Sequence, residues 1–100
     1  MKHAFTKIVA TLGPASSSKK IILQLAQEGV SVFRLNFSHG SHDDHRQNVS
    51  FIREVEKEIG KPLGILCDLQ GPKLRIGIFE NESIVLAEGD KFRIRYRKQL

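Results

Sequence analysis

The chain has 100 residues, of which 40% are hydrophobic and 27% are charged, which is the composition of one small globular domain or of part of a larger one. Lysine and arginine number 16 against 11 acidic residues, and the net charge of +5 favours anionic partners such as phosphates or nucleic acid. The single cysteine excludes an internal disulfide, and no apolar run approaches the ~20 residues of a membrane span. These features predict a cytoplasmic protein with no membrane partner.

The first part of the chain predicts a strand, a turn and a helix. An apolar, partly β-branched run over 7–12 predicts a buried strand, and Gly13 and Pro14 close it with a turn. The serines at 16–18 offer N-caps for a helix whose apolar residues recur at helical spacing. Gly29 is placed to end that helix.

The same unit then repeats. A strand over 30–35 is followed by a polar turn, and Ser41 can cap the next helix, whose first turn carries carboxylates that suit the helix dipole. Gly60 ends this helix, and Pro62 prevents it from continuing. A third apolar strand occupies 63–67. Strand starts separated by roughly 25–30 residues are typical of parallel β/α units.

The pattern changes period after Gly71. Apolar residues alternate with polar or charged ones from Leu74 onward, and turn residues at 88–90 separate two such runs, which predicts antiparallel strands. We therefore expect one unit over 1–71 and the start of a second over 72–100. Three parallel strands without a fourth leave an exposed apolar edge, so we expect the chain to be the front of a longer protein.

Polar side chains gather where the predicted strands end. Ligands of parallel α/β folds bind at the carboxyl ends of the strands. The second strand delivers Arg34, Asn36 and Ser38 there, and the third is followed by Asp68 and Lys73. An arginine grips phosphate or carboxylate with two prongs, while amide, hydroxyl and carboxylate oxygens suit a cation. The combination indicates an anionic substrate together with cations.

Several of these residues also have a purely structural interpretation. Arg34 could be a surface ion-pair partner, and Asp68 could cap a turn. Ser38 and His39 do not make a nucleophile and its base, because adjacent residues rarely face each other and no nucleophile elbow surrounds them. Cys67 lies within an apolar strand, which predicts a buried and inert thiol rather than a nucleophile.

Two further clusters admit alternative functions. His39, His42 and His45 lie close to two aspartates and suggest zinc, but their spacing favours an exposed polar helix N-terminus. The basic tract over 91–98 interleaves aromatic side chains with cations, as single-strand binders do, although an amphipathic strand with a solvated basic face also explains it. The alternative function is a stand-alone small basic protein that binds nucleic acid or another anion.

Three segments resemble the pyruvate kinase family in order and spacing, and together they cover essentially the whole chain. They are TKIVATLGPAS over 6–16, FRLNFSHG over 33–40 and DLQGPKLRIG over 68–77. The resemblance implies a (β/α)8 TIM barrel, an α/β fold, of which this chain would hold the first three βα units. The start of an inserted antiparallel β-barrel lid domain would follow. Because a complete barrel needs ~250 residues, the rest would lie further along.

The resemblance also implies an activity. Family members transfer phosphate from phosphoenolpyruvate to ADP in glycolysis, giving pyruvate and ATP, and they use Mg²⁺ and often K⁺. The family's catalytic lysine and the glutamate and aspartate that hold Mg²⁺ would fall beyond residue 100. We therefore expect no catalytic residue within this chain and no activity of the chain alone. The full-length protein is expected to be a homotetramer with no nucleic-acid partner.

Individual residues match family positions. Arg34 matches the arginine that contacts the substrate phosphate. Asn36, Ser38 and Asp68 match ligands of the monovalent cation. The carbonyl of Leu69 would complete that set. The positions that match contacts to the nucleotide phosphates are Asn36, Phe37, Ser38, His39 and Arg75.

Two positions depart from the commonest family pattern. Many members have threonine where this chain has Leu69, and glutamate where it has Lys73. Members with lysine at the second position resemble a K⁺-independent group, in which a fixed ammonium could replace the charge of K⁺. The resemblance therefore predicts that K⁺ is not required.

Overall fold

A computed structural model describes residues 4–96 of the chain. The elements in order are β1 (Ile8–Thr11), α1 (Lys19–Gln27), β2 (Val30–Asn36), α2 (His42–Ile59) and β3 (Gly64–Asp68). The strands form a parallel sheet in the order β1-β2-β3, so the predicted parallel α/β architecture is confirmed. Neither helix within residues 4–96 has the length and apolar character needed to cross a membrane.

Both helices begin at serines that the sequence offered as caps. The Ser18 hydroxyl accepts a hydrogen bond from the N–H of Ile21 at 3.3 Å. Ser41 forms a capping box with Asp44, in which Ser41 Oγ accepts the Asp44 N–H at 3.1 Å and the Asp44 carboxylate accepts the Ser41 N–H at 2.9 Å. Gly60 ends α2 in the left-handed region, at a φ of 65°. Local chemistry therefore sets both helix starts.

One cluster of buried apolar side chains joins β2 to both helices. Its most deeply buried large members are Ile22, Phe33, Leu35, Ile52 and Val55. Burying a side chain of this size contributes about 1.5–3 kcal/mol. This cluster packs α1 and α2 against the sheet, and so it holds the carboxyl ends of the strands next to the start of α2.

The loop between α2 and β3 is held by one carboxylate. Glu56 Oε2 accepts the Leu63 N–H at 2.7 Å and Arg53 Nη1 at 3.1 Å, and the same Nη1 donates to the Leu63 carbonyl at 3.3 Å. The hydrogen bond from the Leu63 N–H, assisted by Arg53, holds the pKa of Glu56 below its usual range, against the opposing effect of burial. The ionised form of Glu56 therefore fastens the start of β3 to α2.

Acidification should release this loop. Because the folded-state pKa of Glu56 is lowered, its contribution is complete above the ordinary glutamate pKa of about 4.3 and is lost as the pH falls through the folded value. In the full-length protein, the Leu63 amide should keep its protection against hydrogen exchange, relative to its intrinsic rate, above about pH 4.3 and lose it as the pH falls below that value. Glu56→Gln should lower that protection at neutral pH and remove its pH dependence.

The matched control for this loop is Glu28→Gln, which removes an exposed carboxylate that makes no side-chain hydrogen bond among residues 4–96. It should leave the exchange of Leu63 as in the wild type. Protection that stays constant across the same pH range in the wild type would contradict the role given to Glu56.

The described residues beyond β3 do not form the predicted antiparallel strands. Over 69–96 the backbone hydrogen bonds are local, and apolar side chains of the alternating pattern, such as Leu74 and Ile78, are fully exposed. A strand needs a neighbour for its N–H and C=O groups and a core for its apolar face, and the described residues supply neither. The strand prediction is therefore wrong over this range. The domain boundary after residue 71 stays a prediction.

One local feature of this segment is confirmed. The predicted turn at 88–90 is present, with the Asp90 N–H donating to the Ala87 carbonyl at 3.1 Å and Gly89 at a φ of 88°. The last part of the basic tract, residues 97–98, lies outside the described residues, and the part over 91–96 is exposed without forming a strand. The prediction of an amphipathic strand there is wrong for 91–96.

The cysteine also differs from the prediction. Cys67 is exposed, although its strand is apolar. Its strand β3 lies at the edge of the sheet, and no helix follows it within the described residues to cover its outer face. The prediction of a buried thiol is therefore wrong for this structure, because burial depends on a covering element that the pattern of the strand does not specify.

Candidate functional site

The carboxyl ends of the three strands meet at one edge of the sheet. Thr11 of β1 is paired with Arg34 of β2, and Asn36 at the end of β2 is paired with Asp68 at the end of β3. The Phe37 N–H donates to the Asp68 carbonyl at 3.0 Å and so continues the pairing past the strand ends. Parallel pairing thus brings together polar side chains that are far apart in the sequence.

Arg34 lies at the centre of this edge. Its Nη1 donates to Thr11 Oγ1 at 3.1 Å, its Nε donates to Asp68 Oδ2 at 3.1 Å, and its Nη2 is ion-paired with the same carboxylate oxygen. The ion pair expected as a structural alternative is therefore present. Among the described residues these contacts engage three of the five N–H donors of the guanidinium, and the other two remain for an anionic ligand.

A tight turn over 36–40, which we call the β2 turn, follows the second strand. Asn36 Oδ1 accepts the Ser38 N–H at 3.0 Å, and the Asn36 carbonyl accepts the His39 N–H at 3.2 Å. Ser38 Oγ accepts a hydrogen bond from Lys73 Nζ at 3.1 Å. The structure therefore places the Lys73 ammonium directly on Ser38, one of the residues expected to bind a monovalent cation.

A cleft of about 670 Å³ opens beside the β2 turn, between the loop after β1 and the start of α2. Asn36 and His39 line it on one side, Gly13 on a second and Asp44 on a third. Its volume is within the range of about 300–1,000 Å³ that small-molecule sites occupy. The cleft adjoins the edge that carries Arg34, because Thr11 belongs to both.

The side of the cleft next to β1 is held by a buried amide. Asn48 of α2 is buried, and its Nδ2 donates to Ser17 Oγ at 3.3 Å, while Ser17 Oγ donates to the Gly13 carbonyl at 2.7 Å. The sequence alone did not identify a role for Asn48. Its position four residues before the buried Ile52 was the available signal, since that spacing places a polar side chain on the apolar face of α2.

The carboxylate on the α2 side of the cleft is ionised. Hydrogen bonds from the backbone N–H and then the side chain of Ser41 hold the pKa of Asp44 below its usual range, burial opposes them, and nearby His45 adds a small lowering effect. Asp44 therefore presents a fixed negative charge at the N-terminus of α2, where the helix dipole favours it.

The histidines do not gather into a metal site. Among residues 4–96 no group of three His, Cys, Asp or Glu side chains is placed to hold a metal ion. The ring of His45 instead stacks on Phe37, with the ring centroids 4.3 Å apart, and its Nε2 lies 2.7 Å from the His39 carbonyl oxygen. The interpretation of His45 as part of an exposed polar helix start missed both contacts, because they join residues six and eight positions apart.

The remaining predicted site residues lie away from the cleft. Phe37 is half-buried and packs against the core. The Leu69 side chain is exposed, and the exposed Arg75 makes no hydrogen bond or ion pair within the described part of the chain. Their assignment to cation or nucleotide binding stays a prediction.

The parallel sheet, the polar strand ends and the adjoining cleft define an α/β protein with a cleft at the carboxyl ends of its strands, which is where proteins of this class bind ligands. The family model for the pyruvate kinase barrel domain matches residues 3–100. The chain belongs to the pyruvate kinase family, as the three sequence segments predicted.

Individual relatives agree with this assignment. The chain is 51% identical over 94 residues to pyruvate kinase 2 of Synechocystis sp., covering 92% of this chain and 16% of the relative. It is 54% identical over 89 residues to a pyruvate kinase of Corynebacterium efficiens, covering 89% and 19%. The crystal structure of Cryptosporidium parvum pyruvate kinase aligns with a TM-score of 0.73 and 38% identity, over 78% of this chain and 16% of that one. The chain thus spans under a fifth of these proteins' length.

Proposed function

We propose that the full-length protein transfers a phosphoryl group from phosphoenolpyruvate to ADP and releases pyruvate and ATP, as a cytoplasmic enzyme of glycolysis. The observation that carries the proposal is the Arg34 guanidinium, held between Thr11 and Asp68 with two N–H donors still available. The activity for which the family is named requires recognition of a phosphate group, and Arg34 has the chemistry for that task.

Arg34 would bind the phosphate of phosphoenolpyruvate. Phosphoryl transfer depends mostly on positioning and on neutralising the charge of the transferred group, and a fixed guanidinium supplies both. The contacts with Thr11 and Asp68 hold the side chain in place before substrate arrives, so little of its motion has to be lost on binding.

The β2 turn and the adjoining cleft would receive the nucleotide. Asn36, Phe37, Ser38 and His39 belong to this turn, and the cleft extends from it along the start of α2. Arg75 lies on the segment beyond β3, and in this proposal it reaches the nucleotide phosphates as part of the start of a lid domain. Closure of such a lid would exclude water from the reacting groups.

The proposed reaction uses a divalent cation, and we assign none of its ligands to residues 1–100. The family resemblance, and not the described residues, is the support for placing the proposed Mg²⁺ ligands and the catalytic lysine beyond residue 100. When bound, Mg²⁺ would neutralise negative charge on the phosphates. The role of the present chain is therefore to bind and orient, and no catalytic residue is assigned within it.

The monovalent cation would be replaced by Lys73. Asn36, Ser38, Asp68 and the Leu69 carbonyl form the proposed ligand set, and the Lys73 ammonium already donates to Ser38 Oγ at 3.1 Å. An ammonium and K⁺ carry the same single positive charge, so a lysine fixed at this position supplies the charge without a bound ion. We infer that K⁺ is not required for activity.

Turnover by two forms of the protein tests the proposed function. The full-length protein should form pyruvate from phosphoenolpyruvate in the presence of ADP and Mg²⁺, and a homotetramer is expected on size-exclusion chromatography with light scattering. Residues 1–100 alone should form none. Absence of pyruvate formation by folded full-length protein would overturn the proposed reaction, and turnover by residues 1–100 would overturn the proposal that the active site is completed further along the chain.

A further inference from the structure

We propose that His45 is a positioning residue that fixes the β2 turn from outside and thereby sets the affinity of the cleft for the nucleotide. The inference rests on the proposed function, because the nucleotide is assigned to the β2 turn there. It concerns a residue on α2 that touches the turn at two points and lines the cleft itself.

The two contacts of His45 flank Ser38. The imidazole stacks on Phe37 with an interplanar angle of 25° and a centroid separation of 4.3 Å, and its Nε2 lies 2.7 Å from the His39 carbonyl oxygen. Phe37 in turn packs against the buried core. The ring therefore connects the turn to α2 on both sides of the residue that accepts the Lys73 hydrogen bond.

The geometry determines which ring nitrogen of His45 donates to the turn. A carbonyl oxygen can only accept a hydrogen bond, so Nε2 carries the proton and donates it to the His39 carbonyl. Nδ1 is buried with no hydrogen-bond partner among the described residues. The bond from Nε2 is therefore the hydrogen bond that the His45 ring makes among the described residues, and it goes to the β2 turn.

The other hydrogen bonds of the β2 turn lie within it or lead to Asp68 and Lys73. Asn36 accepts the N–H groups of Ser38 and His39, and these bonds shape the turn without tying it to a helix. Gly40 has a φ of 75°, which few side chains tolerate, and a Cβ added there would lie 3.5 Å from the His45 ring. The turn therefore passes beside the imidazole and the Asp44 carboxylate of α2. Removal of the ring would eliminate the hydrogen bond and the ring stacking that join the turn to α2.

The test compares three substitutions of His45 in the full-length protein. His45→Leu keeps apolar bulk but removes the donor, His45→Asn shortens the side chain so that its amide cannot reach, and His45→Gln keeps an N–H donor at similar reach. His45→Leu and His45→Asn should each raise the KM for ADP by about three- to tenfold, which is the effect of losing one hydrogen bond. The dissociation constant of ADP, measured by calorimetry, should rise by the same factor. The kcat and the KM for phosphoenolpyruvate should stay within about twofold, and Gln should restore most of the ADP affinity.

The outcomes separate this inference from the proposed function. The positioning role would be overturned, and the proposed reaction left intact, by either of two results. One is an unchanged ADP affinity in folded His45→Leu or His45→Asn. The other is an ADP affinity of His45→Gln that is as low as in those two variants. A wild-type protein that binds ADP but forms no pyruvate, with the expected loss of affinity in the variants, would overturn the reaction and support the positioning role. A wild-type protein that binds no ADP would overturn both. If Leu fails to fold, the Asn and Gln pair decides.

Discussion

Arg34→Ala in the full-length protein is expected to lower kcat/KM for phosphoenolpyruvate by about a hundredfold or more. In our proposal the guanidinium neutralises charge on the transferred phosphate, and removing one preorganised donor from such a site typically costs about 10²–10³ in kcat. Steady-state kinetics of pyruvate formation measure the loss directly. Arg34→Lys should recover part of it, because an ammonium keeps the charge but lacks the two-pronged geometry.

Loss of stability does not explain an effect of that size. Arg34 and Asp68 have side chains that are 30% and 46% exposed, and a pair this open to solvent contributes about 0–1 kcal/mol. Arg53→Ala is the matched control, since it also removes an arginine that is paired with a carboxylate. Arg53 lies on α2 and contacts the residue before β3, away from the carboxyl ends of the strands. This control should leave kcat/KM near the wild-type value. Near-normal kinetics in folded Arg34→Ala would show that Arg34 is only a structural ion-pair partner.

Lys73→Glu is expected to create a requirement for K⁺. The wild-type protein should turn over at rates within about twofold with or without K⁺ at saturating Mg²⁺, because the Lys73 ammonium already supplies a positive charge at Ser38. The variant removes that charge and adds a carboxylate, so K⁺ should activate it by about tenfold or more, a difference of about 1.4 kcal/mol. The measurement is a K⁺ titration in which tetramethylammonium keeps the ionic strength constant.

Lys91→Glu makes the same change of charge at an exposed position further along the chain and should stay independent of K⁺. This control separates the local effect at Ser38 from the change in net charge. Strong K⁺ activation of the wild-type protein would refute the proposed role of Lys73. An Lys73→Glu variant that is folded, active and indifferent to K⁺ would refute it equally.

Short-range chemistry made the helix ends predictable. Ser18 and Ser41 accept N–H groups only three residues further along, and the φ of Gly60 is a property of one residue, so neither feature depends on the rest of the molecule. The gathering of Arg34 and Asp68 was predictable for a different reason. Parallel strands end at a common edge, so two side chains 34 positions apart meet once the strands are assigned.

Other contacts could not be found in this way. His45 reaches the His39 carbonyl, and Asn48 reaches Ser17, across distances set by how α2 packs on the sheet. The number of residues between two elements does not give the angle at which they pack. In the sequence, His45 was therefore only a polar residue near the start of a helix, and Asn48 only a polar residue on the apolar face of that helix. The sequence did not identify the partner of either residue.

The sequence by itself determined the order of strands and helices, the helix caps, the family and the polar residues at the strand ends, because each depends on local pattern or on motifs within a few residues. Only the tertiary structure decided the pairing of Lys73 with Ser38, the contacts of His45, the exposure of Cys67 and the absence of strands over 69–96. These contacts and exposures depend on which other part of the folded chain packs against a given residue. An alternating pattern specifies that one face of a strand is apolar, and burial follows only where another element covers that face.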